Sequence, residues 1–188
     1  MTDQPRRRNA AQTRQALLDV ARARFARHGY AATTVRDIAD EAGVNVALIN
    51  RYFTSKEGLF EACLGMAVTD VDRATEQVEH RDIAEVMARR LAGASGDGRT
   101  HDALLLLVRS SGDARIDELR RSVLRAISRK LAGAAEPDEA ALLRGQVVLA
   151  TALGIVLLRN TIGVEPLASA GEQELREVFT DLIRAMVA

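Results

Sequence analysis

The sequence predicts an all-α fold of about nine helices. Three observations carry that reading. Long stretches place apolar residues three and four positions apart. Only three prolines interrupt 188 residues. No run of alternating β-branched residues is long enough to read as a strand. Nearly half the chain is hydrophobic, so a core is easily supplied. With no tryptophan, four Phe and two Tyr, aliphatic side chains must build most of it.

Residues 1–10 are polar and basic, and read as a disordered tail. The first helix spans about Thr13 to His28, with Leu17, Leu18, Ala21 and Phe25 as its apolar stripe. Gly29 supplies the left-handed stop. Thr34 and Asp37 form an [ST]-x-x-[DE] capping pattern, which starts a second helix at Thr34. Ile38, Ala39 and Ala42 are its inner face, and Gly43 ends it. Asn45 then caps a third helix over about 46–52, and a fourth begins at Ser55. Residues 34–52 therefore read as helix, tight glycine turn, helix.

Further on, helices are expected at about 82–93, 100–111, 114–132, 138–161 and 171–187, separated by Gly, Pro and Asp clusters. Pro137 suits a first helical turn, with Asp138 and Glu139 favourable against the helix dipole. The layout gives a tail (1–10), a helix-turn-helix domain (11–57) and a helical body (58–188).

Net charge is zero but unevenly spread. Residues 1–60 hold ten Arg or Lys against six Asp or Glu; residues 61–188 hold sixteen against twenty. A basic first part on an acidic body fits a polyanion partner for the first part alone. Cys63 is the one cysteine, so no internal disulfide forms and a reducing cytoplasm is the expected compartment. The N-terminus lacks an apolar signal region. The apolar run at 147–158 is too short to span a bilayer and reads as a buried core helix, so no membrane partner is expected.

The chemistry concentrates in "VNVALINRYFTSKEGLF", residues 44–60. Ile49 and Phe53 are four apart and share a face, which would pin the third helix to the first two. Val46, Ala47, Asn50 and Arg51 then face outward, with Leu48 at the boundary. Asn and Arg make paired bonds to adenine and guanine edges in a major groove, and small apolar groups touch thymine methyls. Tyr52 and Lys56 are placed to hold phosphates. The backbone N–H groups at the start of the second helix, with Thr34, offer another phosphate contact.

Residues 13–60 resemble the DNA-binding region of the TetR family of bacterial transcriptional regulators. The resemblance rests on Phe25 to Gly29-Tyr30, Thr33-Thr34-Val35, Ile38-Ala39, Ala42-Gly43-Val44, Tyr52-Phe53 and Ser55-Lys56-Glu57. It implies base contacts from Arg36 and the recognition helix, and phosphate contacts from Thr34, Tyr52 and Lys56. With Asn45, these complete a candidate DNA-binding set of Thr34, Arg36, Asn45, Val46, Ala47, Leu48, Asn50, Arg51, Tyr52 and Lys56. Asn50 departs from the Tyr common in the family. The resemblance also implies a helical second domain that dimerises and binds a small effector.

The body agrees with that layout. Leu175, Val178, Phe179, Leu182, Ile183 and Met186 form an i, i+3, i+4, i+7 stripe on the last helix. With the 147–158 segment it could build a two-fold, four-helix homodimer interface, or serve as ordinary core. Leu104, Leu107, Leu124, Ile127 and Leu153 could line a pocket for a small hydrophobic effector. His101, Arg109 and Asn160 are polar candidates beside it, each equally suited to solvent or a helix cap. Cys63 is expected to pack as a small hydrophobe. Its three histidines are not at ligand spacing, and no nucleophile motif or phosphate loop occurs, so no metal, cofactor or catalysis is expected. The reading is a dimeric DNA-binding regulator, a repressor released from a palindromic double-stranded operator by an effector. The rival is a helical ligand carrier or protein-docking module without DNA binding.

Overall fold

The computed structural model describes residues 4–75, 99–109, 111–132 and 136–187. Among these, every regular element is helical. The elements are α1 (Gln4–His28), α2 (Val35–Glu41), α3 (Ala47–Phe53), α4 (Lys56–Thr75), α5 (Arg99–Val108), α6 (Ala114–Ala132), α7 (Glu139–Val156), a π-helical segment (Leu157–Ile162) and α8 (Glu172–Val187). The helix expected at 82–93 lies outside the described residues.

One boundary differs at once. α1 begins at Gln4, so residues 4–10 are helical rather than a disordered tail. Pro5 falls in the first turn, where a missing N–H costs nothing. From there to Gly29 the chain meets no breaker and is rich in Ala, Arg and Gln, which are strong helix formers. Residues 10–16 include no buried side chain, so propensity contributes more than packing there.

α1, α2 and α3 form the head. Leu17, Leu18, Ala21 and Phe25 of α1 are buried against Ile38 and Ala39 of α2 and Ile49 and Phe53 of α3. Phe25, Tyr30 and Phe60 make a ring cluster with centroid separations of 5.8, 5.1 and 5.1 Å, two of the pairs edge to face. Phe60 belongs to α4, so the cluster welds the α1–α2 turn to the helix that leads into the body. Ion pairs from Arg24 to Glu41 at 2.6 Å and Arg27 to Glu41 at 3.5 Å tie α1 to α2 along the rim.

In the body, α6 and α7 pack closely. A Cβ on Gly145 would stand 2.3 Å from the Ser128 carbonyl oxygen, so only glycine admits this approach. Asp138 caps α7 by accepting the Ala141 N–H at 2.7 Å. Pro137 therefore precedes the cap instead of lying in the first turn.

α7 and its π segment differ from the buried core helix expected at 147–158. Val148, Leu149, Ala152 and Val156 face the core, whereas Leu143, Val147 and Leu158 are exposed. Among the described residues, Glu139–Ile162 is the one helix long and apolar enough to cross a bilayer, although 28% of its most apolar window is buried in the protomer. The stripe on α8 is divided in the same way. Leu175 and Phe179 lie in the protomer's own core, Phe179 at 1% exposure, so neither is free to meet a partner. Val178 and Leu182 are turned outward, at 65% and 42%. Four-residue spacing keeps each pair together, and one residue's rotation of about 100° separates the two faces.

Candidate nucleic-acid interface

The site is assembled by local rules. Thr34 caps α2: its hydroxyl accepts the Asp37 N–H at 3.2 Å, and Asp37 Oδ2 accepts from the Thr34 N–H at 2.9 Å and hydroxyl at 2.7 Å. This closed capping box fixes where α2 starts. It also commits the Thr34 hydroxyl proton to Asp37. The bonds from Thr34, its side chain first, hold the Asp37 carboxyl below the usual range.

Gly43 adopts φ +66 and turns the chain between α2 and α3. Val46 is the formal cap of α3 and makes no side-chain cap bond. Asn45 does the work from one residue earlier, its Oδ1 accepting the Ala47 N–H at 2.8 Å. Asn45 is thus a structural cap facing solvent. Ile49 is fully buried and Phe53 nearly so. Those two anchors leave Val46, Ala47, Asn50 and Arg51 exposed along one edge of α3, with Leu48 half-buried at its margin. Arg36 is exposed on α2.

The α3–α4 turn was not legible in sequence. Thr54 takes φ +69 and ψ −42, and Ser55 N–H donates to Phe53 O at 2.8 Å. This is a γ-turn of the strained hand, at a β-branched residue, costing about 1–3 kcal/mol. Gly58 makes it sterically feasible: a Cβ there would lie 2.1 Å from Phe53 O. Ser55 Oγ accepts the Gly58 N–H at 3.1 Å and so caps α4.

Tyr52 and Lys56 occupy the end of the exposed edge, but neither stands free. Tyr52 packs partly against the head core, and its ring lies 6.4 Å from Phe53. The Lys56 ammonium sits 4.2 Å from the Tyr30 ring centroid, a cation–π contact. Burial there lowers its pKa and pushes the Tyr30 phenol up to about 12.

Acid should loosen this head. The Asp37 carboxyl is held below its ordinary value, so it contributes stability that is full above about pH 5 and falls away as pH drops through its folded-state value. Asp37→Asn is expected to flatten the acid limb in thermal melts over about pH 3–7. An identical acid limb in the variant would remove Asp37 from the account.

Other sequence candidates fall elsewhere. Leu107 and Ile127 are buried, and Leu104, Leu124 and Leu153 are partly buried against the same core. None of the five lines the open groove of about 440 Å³ that lies between Arg14, Phe53, Glu57, Glu61 and Arg115. Ile183 and Met186 have no described side chains. Cys63 is fully buried, and burial pushes its thiol up to about 12, which suits a packing role and no redox one. Among the described residues, no group of His, Cys, Asp and Glu could hold a metal ion.

A pinned helix with an exposed polar edge, joined by a glycine turn to a capped helix, defines a helix-turn-helix protein with a helical body. The chain belongs to the tetR family of bacterial regulatory proteins. Residues 17–63 match the model described as "Bacterial regulatory proteins, tetR family". Residues 81–187 match "Tetracyclin repressor-like, C-terminal domain". The HTH-type transcriptional repressor AcnR of Corynebacterium glutamicum is 33% identical over 110 residues, covering 58% of this chain and 55% of that protein. AcnR of Corynebacterium diphtheriae is 39% identical over 79 residues, covering 42% and 40%. The chain spans about half or less of the length of the curated relatives it matches. A TetR-family regulator from Streptomyces coelicolor superposes with a TM-score of 0.63 at 26% identity, covering 94% of this chain and 95% of that one. The fold is shared with the SmeT–triclosan complex, at a TM-score of 0.64 and 23% identity over 93% of this chain and 90% of that one.

Proposed function

We propose that the chain is a homodimeric, sequence-specific DNA-binding repressor, acting in the cytoplasm and without catalytic activity. Residues 11–57 serve as the reading head, and residues 58–188 as the body that dimerises and takes an effector. The observation that carries this reading is the edge of α3. Ile49 and Phe53 are locked inside while Val46, Ala47, Asn50 and Arg51 stand exposed in one row. Asn and Arg on such a row suit base edges in a major groove, with Arg36 beside them on α2. Two heads related by a two-fold axis would read half-sites about one helical turn apart, or a small multiple of it.

Dimerisation is supported by the outward residues of α7, the π segment and α8. Leu143, Val147, Leu158, Val178 and Leu182 are large, apolar and exposed. An apolar face of this kind is what a dimer contact would cover. An effector site would have to open among Leu104, Leu107, Leu124, Ile127 and Leu153, which pack in or against the core. A small hydrophobic molecule there would release the operator by favouring a head separation that no longer fits it, with α4 as the lever. It can do so only through its different affinity for the two arrangements.

Selection of bound duplexes from a random pool at low salt tests the function directly. A two-fold consensus is expected, and a protein that retains no duplex would overturn it. On the selected site, Lys56→Ala should weaken binding alike on all sequences and reduce the salt slope by about one. An unchanged slope would leave Lys56 on Tyr30 and off the phosphates. Asn50→Ala should alter preference at one base position, at about 1–3 kcal/mol if the contact is bidentate. The same consensus from parent and variant would show that Asn50 reads nothing.

A further inference from the structure

Arg109 was a polar candidate for the effector site. The structure puts it somewhere else. It follows α5, where its N–H still donates to Leu105 O at 3.0 Å. Its guanidinium crosses to the far end of α1 and donates from one nitrogen to Ala26 O at 2.8 Å and Arg27 O at 2.7 Å. These are carbonyls at a helix C-terminus, where the backbone lacks intrahelical donors and the dipole favours a cation. Two neighbouring groups have partners of their own. Gly29 N–H donates to Phe25 O at 2.9 Å, and the Thr33 hydroxyl donates to Gly29 O at 2.8 Å. Gly29, at φ +83, keeps the turn open beside Arg109, whose Nε would lie 3.5 Å from any Cβ there.

Arg109 also projects from a rigid corner. Arg120 of α6, itself buried, donates from Nε to Leu106 O at 2.7 Å and pairs with Asp117. Asp117 Oδ1 accepts the Ser111 N–H at 3.1 Å and the Ser111 hydroxyl at 2.9 Å. The Arg120 guanidinium lies 5.6 Å from the Phe60 ring centroid. The end of α5 is therefore held to α6 by one guanidinium and to α1 by the next.

The consequence concerns head geometry. α1 also packs on α4 and α5 through buried apolar residues, including Leu17, Phe25, Leu64, Ala103 and Leu107. Such packing is non-directional. The two charge-assisted bonds from one Arg109 nitrogen to consecutive carbonyls add a directional tie between the end of α5 and the end of α1. We propose that Arg109 is a positioning residue that sets the angle of the head on the body, and thereby the half-site spacing the dimer accepts. It touches no base and no phosphate. Its influence on DNA passes through α1 and the Tyr30–Thr34 turn into α2 and α3. The inference rests on the dimeric DNA-binding reading above.

The test uses the full chain. A spin label at Asp40→Cys, exposed on α2, gives one head-to-head distance per dimer, since native Cys63 is fully buried. In the Arg109→Gln background that distance distribution should broaden at least twofold in width. The selected operator and versions with one base pair added to or removed from the spacer are then compared. The parent should discriminate against altered spacers steeply, and Arg109→Gln should show a discrimination at least fivefold smaller. Arg109→Lys, which keeps the charge on a shorter, freely rotating ammonium, should fall between them. A lower thermal midpoint with unchanged distance width and unchanged spacer discrimination would overturn the proposal, leaving Arg109 a plain helix cap. Absence of any dipolar distance would instead sink the dimer reading, and with it the proposal.

Discussion

Gly58→Ala should be the most damaging small substitution in the head. The added methyl would stand 2.1 Å from Phe53 O, a backbone atom that cannot rotate away. The γ-turn at Thr54 is already strained and has no slack. The turn must therefore open, moving α3 relative to α4 and unseating Phe53. A loss of about 3 kcal/mol is expected, read as a fall of about 10 °C in thermal midpoint. Gly65→Ala is the control. It lies on the same helix with nothing near its Cβ position. There alanine should stabilise by about 1 kcal/mol through helix propensity. Equal midpoints for the two variants would show that the Gly58–Phe53 approach does not constrain the turn. On DNA, Gly58→Ala should lose sequence-dependent binding even below its melting temperature, because the exposed edge of α3 proposed to read bases has shifted.

The paired substitution Val178→Asp with Leu182→Asp should dissociate the proposed dimer. Both residues are outward, at 65% and 42% exposure, so the isolated protomer should lose little stability. Two-fold symmetry doubles each change, placing four carboxylates in one apolar interface. Burying them without partners costs roughly 4 kcal/mol or more, about a thousandfold in the dissociation constant. Sedimentation equilibrium should then show monomer at concentrations where the parent is dimeric, and operator affinity should collapse with it. A variant that sediments as a dimer would place the interface elsewhere. Phe179→Ala makes the contrast, since its ring is inside the protomer. It should cost about 3–5 kcal/mol of protomer stability.

Much of the head was legible because its signals are local. The capping box needs only Thr34 and Asp37, three residues apart. The anchoring of α3 needs only Ile49 and Phe53 on one helical face. Gly29 and Gly43 both take positive φ where a helix has to stop. Lys56 shows the limit. Its spacing fits a phosphate contact, yet its ammonium lies on Tyr30, a ring 26 residues earlier brought close by the fold. The α8 stripe shows another. A period of 3.6 identified the apolar positions but not which of them the protomer already covers.

From the sequence alone came the all-helical class, the turn between α2 and α3, the caps at Thr34 and Asn45 and the identity of the residues on the exposed edge of α3. Each depends on neighbours within about four positions, where backbone geometry is repetitive and spacing converts directly into direction. Only the tertiary structure decided that Arg109 bonds carbonyls 82 and 83 residues upstream, that Thr54 takes a strained turn which the missing Cβ of Gly58 permits, and which half of α8 faces out. A guanidinium carries no local mark of its acceptor, and an apolar residue none of its cover. Both are settled when distant helices dock, since burial and hydrogen-bond geometry are properties of the assembled surfaces.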